Sequence, residues 1–111
     1  MVGTRYVSLG SERVSTTSVV TPGSIDPNSA TGLALSNTKI IRATVRVEEG
    51  PLRWNSVPGK TATQDGNDGS TIEYRRAEFI LWGTTEIANF RYIPVEGVKR
   101  VTLMIRYEGT Q

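Results

Sequence analysis

The sequence predicts an all-β domain: a single antiparallel β-sandwich, jelly-roll-like or immunoglobulin-like, with an extended N-terminal arm. Two alternating segments, residues 40–47 and 100–107, carry that prediction together with the turn residues that separate the apolar runs. Strand side chains point alternately to opposite faces, so Ile41, Ala43, Val45 and Val47 share one face, as do Val101, Leu103, Ile105 and Tyr107. Gly, Pro, Ser, Thr, Asn and Asp punctuate the chain, while Leu and Ala cluster nowhere at helical spacing, so helix should be scarce. A chain of 111 residues fits one domain that buries roughly two-thirds of its unfolded surface.

Residues 1–38 read as an arm, rich in Ser, Thr, Gly and Pro and nearly free of large side chains after Tyr6. Within it, residues 6–9 and 13–20 have β propensity and are candidate edge strands. Thr21-Pro22-Gly23 supplies a turn, because Pro presets φ and Gly tolerates positive φ. Residues 24–36 read as loop, with a short strand over 33–35. From residue 39 the core of the sandwich begins, running to residue 111, with strands expected at 39–48, 52–55, 71–74, 78–82, 89–93 and 100–108. Glu49-Gly50-Pro51 separates the first two, the Gly-rich 64–69 run precedes the third, and Val95-Glu96-Gly97 separates the last two. The polar connection 56–70 is expected to cross an end of the sandwich. No internal repeat is visible.

Composition removes most catalytic classes. Neither cysteine nor histidine occurs, which excludes thiolate nucleophiles, disulfides, Cys/His zinc sites and imidazole acid-base catalysis. The formal charge is +2, too small and too dispersed to imply a nucleic-acid partner. No apolar run approaches the roughly 20 residues of a membrane-spanning helix, so no membrane partner is expected. Residues 1–10 show no secretory signal, and synthesis in the cytoplasm is expected.

Local motifs fare no better as sites of chemistry. Gly59-Lys60-Thr61 matches the end of a phosphate-binding loop, but Trp54 stands where the first glycine belongs and no amphipathic helix follows. The run Asp65-Gly66-Asn67-Asp68-Gly69 gathers oxygens, yet Ser70 and Arg76 occupy the positions where a helix-loop-helix calcium loop needs glycine and glutamate, so it reads as a surface turn. Glu48 and Glu49 are strand neighbours and diverge. No Ser or Thr is paired by any local pattern with Lys39, Lys60 or Lys99. The chain is expected to be no enzyme, with no catalytic, cofactor-binding or metal site and no cofactor.

Contact surfaces remain. Arg42, Arg46, Arg100 and Arg106 lie on the polar sides of the two leading strands and form a basic stripe if those strands are neighbours. Solvated sheet face is the ordinary reading of such a stripe; docking of an acidic protein is the sharper one. Tyr6, Val7, Leu9, Val14, Val19 and Val20 are the arm's candidate contacts, since an extended segment can add a strand to a neighbouring subunit. Trp54 and Trp82 could each stack on a sugar ring, against the commoner role of strand aromatics in a core shared with Phe79, Phe90, Tyr92 and Tyr107.

The succession Ala43-Thr44-Val45-Arg46-Val47-Glu48, Leu52-Arg53-Trp54, Asn89-Phe90-Arg91-Tyr92-Ile93 and the closing strand 101–107 resembles small virion structural proteins of tailed bacteriophages. The likeness spans about residues 40–107, and the chain departs from it in Asn55-Ser56-Val57-Pro58-Gly59 and in the long N-terminal segment. It implies a noncatalytic component of a phage particle, first of all a capsid decoration or cementing protein. Such a protein would bind the major capsid protein or other virion proteins, form a homo-oligomer, and reside in the virion after assembly in the host cytoplasm. A head-to-tail or tail component is the alternative within the particle, and a carbohydrate-binding module for host attachment the alternative outside that class.

Overall fold

Alternation over residues 42–49 and 101–110 places one row of side chains on each side of a sheet, and the inward row builds the core. In a computed structural model, which describes residues 5–27, 31–32, 40–66 and 69–110, two antiparallel sheets pack face to face. The strands are β1 (Tyr6–Thr16), β2 (Thr31–Gly32), β3 (Arg42–Glu49), β4 (Leu52–Asn55), β5 (Thr71–Glu73), β6 (Glu78–Trp82), β7 (Arg91–Pro94) and β8 (Val101–Thr110), with one helix, α1 (Gly83–Asn89), between β6 and β7. The larger sheet has the order β2-β1-β8-β3-β6 and the smaller β5-β4-β7.

Pairing is nested. β1 pairs with β8, Gly23 forms a single bridge to Tyr92 of β7, β3 pairs with β6, and β4 with β5. The strip then folds over so that β8 lies beside β3 and β7 beside β4. This is jelly-roll pairing, with the bridge at Gly23 in place of one full strand. A Cβ at Gly23 would lie 2.7 Å from the Tyr92 ring, so only glycine admits that close approach.

Ala43, Val45, Val47, Leu81, Val101, Leu103, Ile105 and Tyr107 from the larger sheet pack against Leu52, Phe90 and Tyr92 from the smaller side. Burying each large apolar side chain stabilises the fold by roughly 1.5–3 kcal/mol relative to exposure. Trp54 stacks on Phe79 with ring centroids 4.4 Å apart, joining the sheets near β4's end. Outside the smaller sheet, Ala62 and Ile93 are buried beneath the connection that the sequence placed across one end. Arg53 Nε donates to Gln64 O at 3.0 Å, and Gln64 Nε2 to Pro94 O at 3.1 Å. That connection therefore folds over a sheet face.

The expected arm requires correction over residues 6–16. β1 pairs along β8 from Tyr6↔Thr110 to Thr16↔Val101, so these residues form a strand of the main sheet in their own chain. Opposite the inward row of β8 stand Gly10, Glu12, Val14 and Thr16, one large apolar residue in four, which is why no continuous apolar stripe joins the two edge-strand candidates. Glu12 is tolerated there because its Oε1 accepts from Tyr107 Oη at 2.5 Å and from the Asp26 N–H at 3.0 Å. Ile25, also assigned to the arm, is part of the core. The short strand expected at 33–35 and the arm's far boundary lie outside the described residues.

A second difference is α1, in a segment between the strands expected at 78–82 and 89–93 for which no element was expected; the second of those strands is β7 and starts at Arg91. Gly83 takes φ +80, turning the chain out of β6, and the Trp82 N–H donates to the Glu86 carboxylate across the first turn. Only Ile87 of this helix is buried, so its sequence carries no apolar repeat.

Candidate functional site

The outward row of the larger sheet brings together residues from four strands. Register places Ser8, Glu108, Arg42 and Trp82 in one line across β1, β8, β3 and β6; Ser11, Arg106, Thr44 and Ile80 in the next; and Arg13, Met104, Arg46 and Glu78 in the third. The leading strands are neighbours, so Arg42, Arg46 and Arg106 do share a face. Arg100 lies just before β8, at the edge of that face.

The stripe is partly neutralised. Arg42 Nε lies 3.1 Å from Glu108 Oε1, to which Thr44 Oγ1 also donates at 2.5 Å, and Arg106 Nε stands 3.8 Å from Glu108 Oε2. Burial of Glu108 opposes its ionisation, but the Thr44 hydroxyl and Arg42 guanidinium outweigh it and hold the carboxyl below its ordinary value. Glu49 accepts from Thr102 Oγ1 at 2.6 Å and from Arg100 Nη2 at 3.0 Å. Those two bonds lower its pKa as well. Arg13 and Arg46, on either side of Met104, form no ion pair among the described residues.

At one corner of the face the Arg42 guanidinium lies 3.6 Å above the Tyr6 ring and 5.5 Å from Trp82. The Tyr6 and Trp82 rings meet edge to face at 6.1 Å. Arg42 is thereby fixed by a carboxylate on one side and π-faces on the other. Trp82, Ile80 and Met104 remain exposed, Trp82 by half. Arginine, methionine and aromatics are the residue types that protein interfaces enrich, and here the glutamates on the same face are largely held by arginines.

The other candidates separate. Leu9 is buried and Val14 packs against the core, so neither presents a contact, and Val7 is half-buried opposite Gly109. Val19 and Val20 are exposed in the loop beyond β1, Val20 at 84%. Trp54 joins the core, as the aromatic-in-strand argument expects. It also borders a pocket of about 310 Å³ with Asn55, Ser56, Val57, Lys60, Gly69 and Thr71, and its buried indole N–H has no hydrogen-bond partner among the described residues. Ile80 was missed as a surface residue because it sits inside the apolar run Phe79-Ile80-Leu81-Trp82, where no polar alternation marks the outward side. Arg13 was missed because the strand holding it was read as arm.

No cluster of three or more potential metal-ligating side chains is present among the described residues. No helix there is long and apolar enough to cross a membrane. Comparison with family models, curated proteins and solved structures returns no match to this chain.

Proposed function

We propose that this chain is a noncatalytic structural protein of a phage particle, a capsid decoration or cementing protein that binds through the outer face of its larger sheet. The observation that carries a binding role is that face. It offers an exposed Trp-Ile-Met diagonal flanked by Arg13 and Arg46, two cations that form no ion pair among the described residues. The virion assignment is supported by the resemblance over residues 40–107, and jelly-roll pairing is compatible with it, being a fold that capsid and lectin domains use among others. The acidic counterpart would lie on the major capsid protein or on a neighbouring copy of the chain. Decoration rather than a head-to-tail position rests on the same resemblance.

Purified protein mixed with shells of the major capsid protein of the same particle should co-sediment, saturably and with fixed stoichiometry. Failure to co-sediment, or saturation only on isolated tails, would move the chain out of the decorating class. A carbohydrate-binding reading is favoured by one observation, the Trp54 pocket with its polar rim of Asn55, Ser56, Lys60 and Thr71. Quenching or enhancement of tryptophan fluorescence across a glycan panel, lost in Trp54→Phe, would support it.

A further inference from the structure

At the opposite end from Trp82, the turn between β5 and β6 holds a backbone conformation that its residue does not favour. The Ala77 N–H donates to Tyr74 O at 3.0 Å, closing a four-residue turn, and Arg76 in its third position has φ +76. Positive φ at the third position is the mark of a type II turn, where glycine or asparagine is the ordinary occupant. Among the described residues Arg76 is the non-glycine residue with positive φ. The strain is enforced: the Arg76 N–H donates to Val47 O at 2.8 Å and the Val47 N–H to Ala77 O at 2.9 Å. Two hydrogen bonds to β3 thus keep the turn from relaxing.

Among the described residues no ion pair uses the side chain that incurs this cost. Arg75 and Arg76 are exposed, neither forms an ion pair with any described residue, and Tyr74 beside them is 61% exposed. Residues held in sparsely populated backbone conformations cluster at binding and switch sites, so an exposed outlier of this kind points to a contact. We infer that the Tyr74-Arg75-Arg76 turn is a docking element for a carboxylate-bearing protein surface, separate from the outer sheet face. Two adjacent guanidiniums suit bidentate pairing with carboxylates, and the flanking tyrosine supplies the amphipathic area that interfaces use. Nucleic acid fits less well, because following a continuous phosphate backbone takes an extended run of cations, whereas this turn offers two, bounded by Glu73 and Glu78, enough to seat individual carboxylates.

The experiment uses the full chain, a soluble poly-L-glutamate as the carboxylate probe and a double-stranded DNA oligomer of equal charge as the phosphate probe. Binding is read from amide and arginine side-chain NMR shifts at low salt. Poly-L-glutamate is expected to shift residues 74–77 and the Arg75 and Arg76 Nε–H signals, and to bind more tightly than the DNA. Arg76→Gly should melt at the same temperature as wild type or a few degrees higher, since glycine relieves the positive-φ strain. It should nonetheless bind the probe at least about fivefold more weakly, the loss expected of one charge-assisted contact. Arg76→Asn, which also tolerates this conformation, should behave the same way. The inference is overturned if Arg76→Gly lowers the melting temperature, if either variant binds the probe as wild type does, if the shifts fall on Arg13 and Arg46 instead, or if DNA binds more tightly than poly-L-glutamate.

Discussion

At the residue scale, the molecule's polar interior decides its response to pH and to small substitutions. Tyr107 Oη donates to Glu12 at 2.5 Å inside the β1 end of the core. Tyr107→Phe removes that bond and leaves Glu12 with the Asp26 N–H, so urea denaturation should show a loss of about 1–3 kcal/mol. Glu49 and Glu108 have folded pKa values below 4.5. Their contribution is therefore fully present above that value and lost as pH falls through the folded values, and Glu108→Gln should flatten the acid limb of a stability profile. Tyrosine acts at the other extreme. Burial, reinforced by the charge of Glu12, pushes Tyr92 up to about 12 from 10.0, and burial with the Glu12 hydrogen bond raises Tyr107 too. Both favour the neutral phenol in the fold, so stability should decline as pH rises above 10, measured by circular dichroism against urea.

At the element scale, β1 is the piece whose role differs most from its appearance in the sequence. Deleting residues 1–16 strips β8 of a hydrogen-bonded neighbour along its length and exposes the edge beside Tyr107. The truncated chain should lose its cooperative thermal transition; a sharp transition near that of the full chain would restore the view of this segment as a separable arm. β3 and β8 were legible because each alternates strongly, with one face wholly apolar. β4 and β6 were legible from β-branched and aromatic content between turn residues. β1 was legible only as two separate edge-strand candidates, 6–9 and 13–20, because Gly10 and Glu12 between them occupy inward positions that only tertiary partners make acceptable. Helix α1 hides for a related reason: with one buried residue it has no periodicity, and Gly83 and Glu86 set its start locally. The candidate face was half legible. Its arginines follow from alternation, whereas the junction of Tyr6, Arg42 and Trp82 needs β1, β3, β6 and β8 in their observed order, and no local pattern encodes that order.

At the scale of the whole molecule, the jelly-roll pairing produces two unlike ends and one broad exposed sheet face. The smaller sheet's outer surface is covered by the connection through Ala62 and Gln64, while the larger sheet's outer surface carries Trp82, Ile80, Met104 and five arginines with the glutamates that restrain some of them. That asymmetry leaves the outer face of the larger sheet as the one open to the partner proposed above. Met104 stands between Arg13 and Arg46 and is partly exposed, so charge can be placed there with little effect on the core. The most direct measurement compares wild type and Met104→Glu by co-sedimentation with capsid shells, alongside their melting temperatures. Met104→Glu should associate at least tenfold more weakly, about 1.4 kcal/mol, while melting within a few degrees of wild type; equal binding by the two proteins would mean that this face takes no part in the association.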